Sequence, residues 1–185
     1  SGKAGWLIHI LCRPGMILGD VEIPQGTGFV GINSMVKHSV AGPYYTDVRI
    51  GAFMGKRIIN HHRAQLGLSP VNHLTEISVS DFEAQYRALL PTESAGSAFL
   101  AKYRSHEDPV TTVQPDGMYR IAGPTAHPIG ENERVLRFIQ ALQDAREGNE
   151  AALQVAGEQM YGAHESYRSN CNLSCDEVDM LVASV

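Results

Sequence analysis

The chain opens with short apolar runs of the kind that form β-strands. Residues 6–12 and 21–23 are two such runs, and Arg13-Pro14-Gly15 between them combines proline with glycine, which favours a turn. Residues 27–33 form a third run. The pattern predicts that these three segments are strands of one short sheet.

A helical spacing of apolar residues begins after a break at residues 39–43. Between residues 45 and 66, apolar side chains recur near one helical face: Val48, Ala52 and Ile59. Gly67 follows as a stop signal. Gly51 and Gly55 lie inside this helix, although a glycine costs about 1 kcal/mol there relative to alanine. We therefore expect both glycines to allow the close approach of a neighbouring backbone.

Further helices are predicted from amphipathic spacing and from terminal signals. Their ranges are 80 to just before Pro91, 97–103, 131–146 and 150–167. The two longest carry these stripes: Val135, Phe138, Ile139 and Leu142, then Leu153, Met160, Tyr161 and His164. Gly148 separates them as a stop signal. Capping boxes mark two helix starts, Ser80 with Glu83 and Ser174 with Glu177, and the second box opens the last helix.

The order of these elements indicates the fold class. Strands come first and a helix-rich remainder follows, with no internal repeat, low-complexity tract or linker, which is typical of an α+β protein. We predict a single unit over residues 1–185, in which a short sheet from residues 1–33 packs with the helices of residues 34–185.

Composition and charge narrow the classes of function. The 185 residues are 43% hydrophobic and 19% charged, as in an ordinary globular protein. No apolar stretch approaches the roughly 20 residues needed to span a bilayer, so we expect no membrane partner and a cytoplasmic location. The formal net charge of −5 argues against a surface that binds nucleic acid.

The eight histidines do not show the spacing of a metal site. His61 and His62 point about 100° apart on a helix, and neither H-E-x-x-H nor C-x-x-C occurs. The same holds for His73 and for His106, which stands beside two acidic residues. We predict surface or helix-end histidines and no metal ligand.

Cys12, Cys171 and Cys175 are expected to be free thiols in a reducing compartment. The nearness of Cys171 and Cys175 to His164 in sequence leaves two alternatives, a thiol nucleophile or partly buried structural thiols. The absence of a nucleophile motif favours the second alternative, and no catalytic residue is predicted.

The turn Gly42-Pro43-Tyr44-Tyr45 is the polar and aromatic feature that stands out. It delivers two phenols at a junction between loop and helix, where groups that contact ligands commonly lie. The alternative is that these tyrosines only cover a core.

Several segments resemble motifs of one enzyme family, in the family's order. Residues 37–49, KHSVAGPYYTDVR, resemble the galactokinase segment in which a basic residue and a small-apolar turn precede S-x-Y-N-x-R-R, and Tyr45 falls on its tyrosine. Three further segments resemble L-arabinokinase: VRIGAFMG at 48–55, HEDPVT at 106–111 and HPIGEN at 127–132. Residues 160–168 and 174–179 resemble the block S-H-x-S-L-R…S-x-x-E-x-D. The chain thus resembles GHMP-family sugar kinases of the galactokinase and L-arabinokinase type.

The resemblance implies a fold like the C-terminal domain of a GHMP kinase and a reaction that uses ATP and Mg²⁺. That reaction phosphorylates the anomeric hydroxyl of a free sugar, L-arabinose or galactose. The family's ATP loop P-x-x-x-G-L-S-S-S, its C-G-x-x-D-Q segment with the catalytic aspartate and its G-G-G-x-G-G turn do not occur in the sequence. We therefore expect an interior and C-terminal-domain fragment that is inactive alone and binds no cofactor tightly. Its expected partners are a sugar and either the missing N-terminal kinase segments or a second copy paired through a sheet edge.

Departures from the motif limit which roles carry over. Pro43 and Thr46 replace the motif's serine and asparagine, and Val48 takes the place of its first arginine. Only Tyr45 and Arg49 remain as candidate sugar-binding residues.

Two other functions are open. The first is a non-catalytic sugar-binding or regulatory module that keeps the kinase-like fold. The second is an unrelated hydrolase, which predicts a cleft where His, Asp and Glu converge with strongly shifted pKa values.

Overall fold

A computed structural model describes residues 2–12, 15–36 and 43–185 of the chain. The described residues form α-helices and two small antiparallel sheets, which confirms the α+β class but replaces the single predicted sheet with two. The chain divides into two compact units: unit 1 contains Ser1–Ser34 and Arg134–Ala163, and unit 2 contains Met35–Glu133 and His164–Val185. The assignment of residues 1–185 to one domain stays a prediction, as does the likeness to a GHMP C-terminal domain. None of the described helices is long and apolar enough to cross a membrane.

Unit 1 begins with an antiparallel hairpin. Strand β1 (Trp6–Leu11) pairs with β2 (Met16–Glu22), and the register shifts between His9 and Ile10. Both strands were predicted, but β2 begins earlier than residue 21. Gly15 precedes β2 with φ +98°, a conformation that glycine adopts without strain, while Arg13 and Pro14 of the predicted turn lie outside the described residues.

The third predicted strand is wrong. Residues 27–33, all of them described, are irregular and pair with no strand. Gly26 precedes this segment, and Gly28 and Gly31 interrupt it. Glycine weakens a strand because it loses more backbone entropy on folding and packs no side chain. The apolar residues of the segment are exposed, Val30 most of all.

A small core closes unit 1. Its buried members are Val21, Ala141, Leu142, Ala152 and Ala156. Phe138 packs beside this core with its ring centroid 6.1 Å from that of Phe29. Glu22 and Arg146 form an ion pair that joins the end of β2 to the end of helix α4 (Ala122–Arg146).

Helix α1 (Pro43–Gln65) is the central element of unit 2. It was predicted over residues 45–66, and Gly67 follows it with φ +70°. Its buried face carries Ile50, Met54, Ile58 and Ile59. A side chain at Gly51 would overlap the backbone carbonyl of Arg120, as predicted, whereas one at Gly55 would meet the Thr125 side chain rather than a backbone.

The segment after α1 is less regular than predicted. A 3₁₀ turn (Leu74–Glu76) precedes α2 (Val79–Asp81), a π turn (Phe82–Tyr86) and a final 3₁₀ turn (Arg87–Leu89). The helix start is capped by Ser78, whose Oγ accepts from the Asp81 N–H at 3.0 Å, and not by Ser80. Both serines stand three residues before an acid, so the capping pattern fits two starts and Ser78 takes the extended backbone that a cap requires.

A second hairpin-like pair was not predicted. Strand β3 (Glu93–Ala95) pairs with β4 (Met118–Arg120), and α3 (Gly96–Tyr103) follows β3 directly. Helix α3 was predicted over residues 97–103. Three-residue strands give no alternating pattern long enough to recognise, which explains why the sheet was missed.

Helix α4 (Ala122–Arg146) begins well before the predicted start at residue 131. Pro124 and Pro128 argue for a later start, but a proline in the first turn loses no intrahelical hydrogen bond, and Pro128 is tolerated inside the helix. Thr125 and Ile129 lie one turn apart and are both buried, which draws this first part into the core of unit 2.

The last helices are α5 (Ala152–Ser169) and α6 (Asp176–Ala183). In α5, Met160 and Tyr161 of the predicted stripe are about half exposed, while the small residues Ala152 and Ala156 are buried. The capping box predicted for α6 is also wrong: Cys175 occupies the N-cap position, and Ser174 Oγ donates instead to Asp179 Oδ1 at 2.5 Å. His164 Nε2 lies 2.9 Å from the same oxygen, so Asp179 joins α6 to α5.

Candidate functional site

Tyr45 lies in the first turn of α1. Its side chain is 45% exposed, against 75% for Tyr44, and no hydrogen bond joins its hydroxyl to another residue in the described part of the chain. Residues 37–42 of the predicted sugar-binding turn lie outside the described residues. The Tyr45 phenol is therefore half-covered and still able to donate and accept hydrogen bonds.

Arg49, the other predicted site residue, binds a carboxylate. Its Nε donates to Asp108 Oδ2 at 2.6 Å and its Nη2 donates to Asp108 Oδ1 at 2.8 Å. The Arg49 side chain is 24% exposed and that of Asp108 is 0% exposed. This two-pronged ion pair is the strongest geometry that arginine forms with a carboxylate, and it fixes the orientation of the guanidinium plane.

Asp108 has further donors from its own loop. Thr111 Oγ1 donates to Oδ2 at 2.6 Å, and the Val110 N–H donates to Oδ1 at 3.2 Å. The hydrogen bonds from Arg49 hold the pKa of Asp108 well below its usual value, and those from Thr111 and Val110 reinforce this against the opposing effect of burial. Each carboxylate oxygen thus accepts two hydrogen bonds, and Asp108 is ionised and satisfied.

His106 extends this cluster inward and corrects a prediction. It is buried, not a surface or helix-end histidine, and its Nε2 lies 2.9 Å from Thr111 Oγ1. The single hydroxyl hydrogen of Thr111 goes to Asp108, so His106 Nε2 must carry the proton of the second bond. Burial lowers the pKa of His106 despite the opposing charge of Asp108, and Arg49 lowers it further, so the imidazole is neutral.

The loop that carries these residues runs along one face of α1. Residues 45, 49, 53 and 57 follow one another at four-residue spacing and share that face. The Arg49 guanidinium carbon lies 5.0 Å from the Phe53 ring centroid, and the His106 ring lies 6.1 Å from Phe53 in an edge contact. One turn further, Arg57 Nη1 is 2.8 Å from Glu107 Oε1. We call residues 104–111 the anchored loop.

The anchored loop is held in a strained conformation. Arg104 and Glu107 have φ values of +66° and +63°, which side chains with a Cβ rarely adopt. Such positions persist where surrounding contacts over-determine them, and here Glu107 and the adjacent Asp108 each form an ion pair with α1.

A second group lies near Tyr45 in the same unit. The Tyr167 ring is 6.3 Å from that of His127, and His127 Nδ1 lies 2.9 Å from the buried Ser166 Oγ. Burial raises the pKa of Tyr167, and the nearby Cys171 and Tyr45 add to this effect. Tyr167 stands where the family block S-H-x-S-L-R has leucine.

The cysteines behave as structural thiols. Burial raises the pKa of Cys171 to about 11, so its sulfur stays protonated at neutral pH and is a poor nucleophile. Cys175 is half-buried and Cys12 is exposed, and all three are free. The described residues contain no group of three or more His, Cys, Asp and Glu side chains that could hold a metal ion.

The predicted site residues and the missed ones form one arrangement. The structure brings Tyr45 and Arg49 together on α1 and adds Asp108, Thr111 and His106, which sequence reasoning had not assigned to a site. Because Asp108 has no unused lone pair and the His106 Nε2 proton is committed to Thr111, the cluster has neither an accessible carboxylate base nor a clear nucleophile. The arrangement therefore favours a role in orienting α1 and argues against the hydrolase alternative.

Comparison with known proteins gives similarity along the whole chain. L-arabinokinase of Arabidopsis thaliana is 33% identical over 210 aligned residues, which cover 100% of this chain and 20% of the relative. Galactokinases of Pasteurella multocida and Chloroflexus aggregans are 35% and 30% identical, each over 98% of this chain and 36% of the relative. The chain therefore spans about a fifth to a third of the length of these relatives. No family model matches the chain. No solved structure matches it either.

Proposed function

We propose that this chain forms the sugar-binding side of a sugar 1-kinase of the GHMP type, because it is similar over its whole length to L-arabinokinase and galactokinase sequences. The proposed reaction transfers the γ-phosphoryl group of ATP to the anomeric hydroxyl of L-arabinose or galactose and gives the sugar 1-phosphate and ADP. The pyranose ring of L-arabinose has the configuration of galactose without its hydroxymethyl group. One pocket can thus accept both rings and select between them at that group.

The position of Tyr45 is the observation that carries this proposal. Tyr45 is about half exposed, and its hydroxyl has no hydrogen-bond partner among the described residues. It stands at the start of a helix whose next turn is fixed by the ion pair of Arg49 with Asp108. A phenol both donates and accepts, which suits a sugar hydroxyl, and its ring is an apolar surface for the C–H face of a sugar. Holding the sugar in one orientation is a large part of what a phosphoryl-transfer enzyme does.

The described residues do not fit the nucleotide or Mg²⁺. The sequence has no glycine-rich phosphate loop, and no cluster of metal-binding side chains occurs in the part of the chain that the structure describes. We propose that ATP and Mg²⁺ are bound by residues other than these 185, and we assign no step of the transfer to this chain. Its proposed contribution is to bind and orient the sugar.

A non-catalytic sugar-binding or regulatory module is the alternative, since Tyr45 serves both functions equally. A direct assay separates them. The gene product that carries this chain is incubated with ATP, Mg²⁺ and either sugar, and the products are resolved by ³¹P NMR. We expect a phosphate ester at the anomeric carbon. Sugar binding without turnover would favour the regulatory module, and ester formation at another hydroxyl or no sugar binding at all would contradict the proposal.

A further inference from the structure

The anchored loop holds α1 at two places that differ in burial. In the pair of Arg49 with Asp108 the side chains are 24% and 0% exposed, whereas those of Arg57 and Glu107 in the second pair are 30% and 49% exposed. An exposed pair contributes little, but a buried carboxylate that accepts four hydrogen bonds restricts the groups that donate to it. Rigidity is therefore concentrated at Arg49, one helical turn from Tyr45.

The hydrogen bonds of Arg49 leave it poorly placed as the main sugar contact. Two of its three nitrogens donate to Asp108, and its guanidinium also lies over Phe53. A planar guanidinium held in this way cannot turn toward a ligand without leaving a buried carboxylate short of donors, which is unfavourable. Arg49 is better suited to hold its own helix than to follow a substrate.

We propose that Asp108 is a positioning residue: by gripping Arg49, it fixes the first turn of α1 and thereby the place of the Tyr45 hydroxyl relative to the sugar. This inference rests on the proposed function of Tyr45. Thr111 and His106 support the Asp108 carboxylate, because the Thr111 hydroxyl donates a hydrogen bond to Asp108 and accepts one from His106 Nε2. The HEDPVT segment thus serves sugar binding although it lies 59 residues from Arg49 in sequence.

The chain offers a matched control for this role. Asp108→Asn keeps the size of the side chain but removes its charge and one acceptor, so the fork with Arg49 is lost. Glu107→Gln makes the same chemical change at the adjacent residue and breaks the pair with Arg57, three helical turns from Tyr45. Both variants are tested in the gene product that carries this chain, with Michaelis constants for sugar and ATP and the melting temperature as readouts.

We expect Asp108→Asn to raise the sugar KM by a factor between about 2 and 13, no more than Tyr45→Phe does, because its effect is transmitted through that hydroxyl. The ATP KM should stay constant, and Glu107→Gln should leave the sugar KM within about twofold. In a Tyr45→Phe background, Asp108→Asn should add little to the sugar KM, since the hydroxyl that it positions is gone. A purely structural role would not give this non-additivity.

Several results would overturn the inference. One is an unchanged sugar KM in Asp108→Asn, and another is a full additional rise in the Tyr45→Phe background. If Asp108→Asn does not fold, Thr111→Val removes one of the four hydrogen bonds to Asp108, together with the bond between Thr111 and His106. It should shift the sugar KM in the same direction by a smaller factor, and an unchanged sugar KM would contradict the positioning role. A sugar KM that Tyr45→Phe leaves unchanged would remove the proposed sugar contact itself. An effect of Tyr45→Phe without one of Asp108→Asn would remove only the positioning role.

Discussion

Asp108 shows how one buried carboxylate sets the state of its neighbours. It accepts from the Arg49 guanidinium and from Thr111, and this second bond decides which nitrogen of His106 carries a proton. Loss of a single partner would leave a charge or a polar atom buried without compensation, which costs more than the intact group contributes. The cluster therefore behaves as one unit, and its members should be mutated with that coupling in mind.

The pKa shifts in this cluster predict a loss of stability in acid. The pKa of His106 is lowered in the folded chain, so the unfolded chain binds more protons once the pH drops below the unfolded pKa of about 6.5. The free energy of unfolding therefore decreases as the pH decreases through this range. The pKa of Asp108 is also lowered, and its contribution is complete above about pH 4 and is lost below that.

Thermal unfolding between pH 7.5 and 5.5 isolates the histidine, because the carboxylate stays ionised over that range. We expect the melting temperature of the wild-type chain to fall more steeply on acidification than that of His106→Gln, which keeps an N–H donor for Thr111. His73→Gln, at an exposed position, controls for the loss of one imidazole. Parallel slopes for wild type and His106→Gln would show that the buried imidazole does not resist protonation.

At this scale the sequence identified two of the five residues of the arrangement. Tyr45 and Arg49 lie in one motif, whereas Asp108 meets Arg49 only through the fold and Thr111 donates to Asp108. One local signal was present: an aspartate three residues before a threonine can hydrogen-bond within its own loop. His106 was misjudged because its burial depends on packing against Phe53, which spacing alone does not reveal.

The packing of α1 depends on two positions without side chains. Gly51 lets the helix approach the carbonyl of Arg120 in β4, and Gly55 makes room for Thr125 in α4. The Arg120 guanidinium in turn donates to the Ser169 carbonyl at the end of α5, at 2.9 Å. Through these contacts, β4 connects the N-terminal part of α1, which carries Tyr45, to the C-terminal part of α5, which carries Tyr167, within unit 2.

A pair of glycine substitutions tests this packing. Gly51→Ala should destabilise unit 2 by about 1 to 3 kcal/mol, because the new Cβ meets backbone that cannot rotate away. Gly157→Ala in α5 meets no atom within 4 Å and should stabilise the chain by up to about 1 kcal/mol through helix propensity. Urea unfolding followed by circular dichroism measures both. Equal stabilisation by the two substitutions would mean that α1 and β4 are not in close contact.

Long periodic helices were the elements best predicted from sequence. The bounds of α1 and α3 agree within two residues, and the existence of α4 and α5 was also predicted. The failures have physical causes. Strands β3 and β4 are too short for an alternating pattern, and residues 27–33 are interrupted by glycines. In α5 the buried face is formed by alanines, whereas larger apolar residues were expected there. The caps at Ser78 and Cys175 depend on backbone geometry that spacing leaves open.

Unit 1 exposes many apolar side chains on its hairpin. They are Ile8, Ile10, Leu11, Met16, Ile17 and Leu18. Strands with apolar residues on both faces are typical of sheets that are covered on both sides, and open edges favour pairing. Association of this hairpin with the N-terminal kinase segments expected from the resemblance, or with a second copy through a sheet edge, stays a prediction.

The fold brings together segments that are distant in sequence and that each resemble a motif of galactokinase or L-arabinokinase. Segments 37–49 and 106–111 meet through Arg49 and Asp108, and segments 127–132 and 160–168 meet through His127 and Ser166. Collinear similarity to kinases over the full chain explains why such blocks are recognisable without a family model.

The sugar KM of Tyr45→Phe in the gene product that carries this chain tests the account most directly. Loss of one hydrogen bond of about 0.5 to 1.5 kcal/mol predicts a rise of roughly 2- to 13-fold, with the ATP KM and the melting temperature unchanged. Tyr44→Phe, at the more exposed neighbour, should leave all three values unchanged. An unaltered sugar KM in Tyr45→Phe, or an equal rise in the KM of sugar and of ATP, would contradict the claim that Tyr45 faces the sugar.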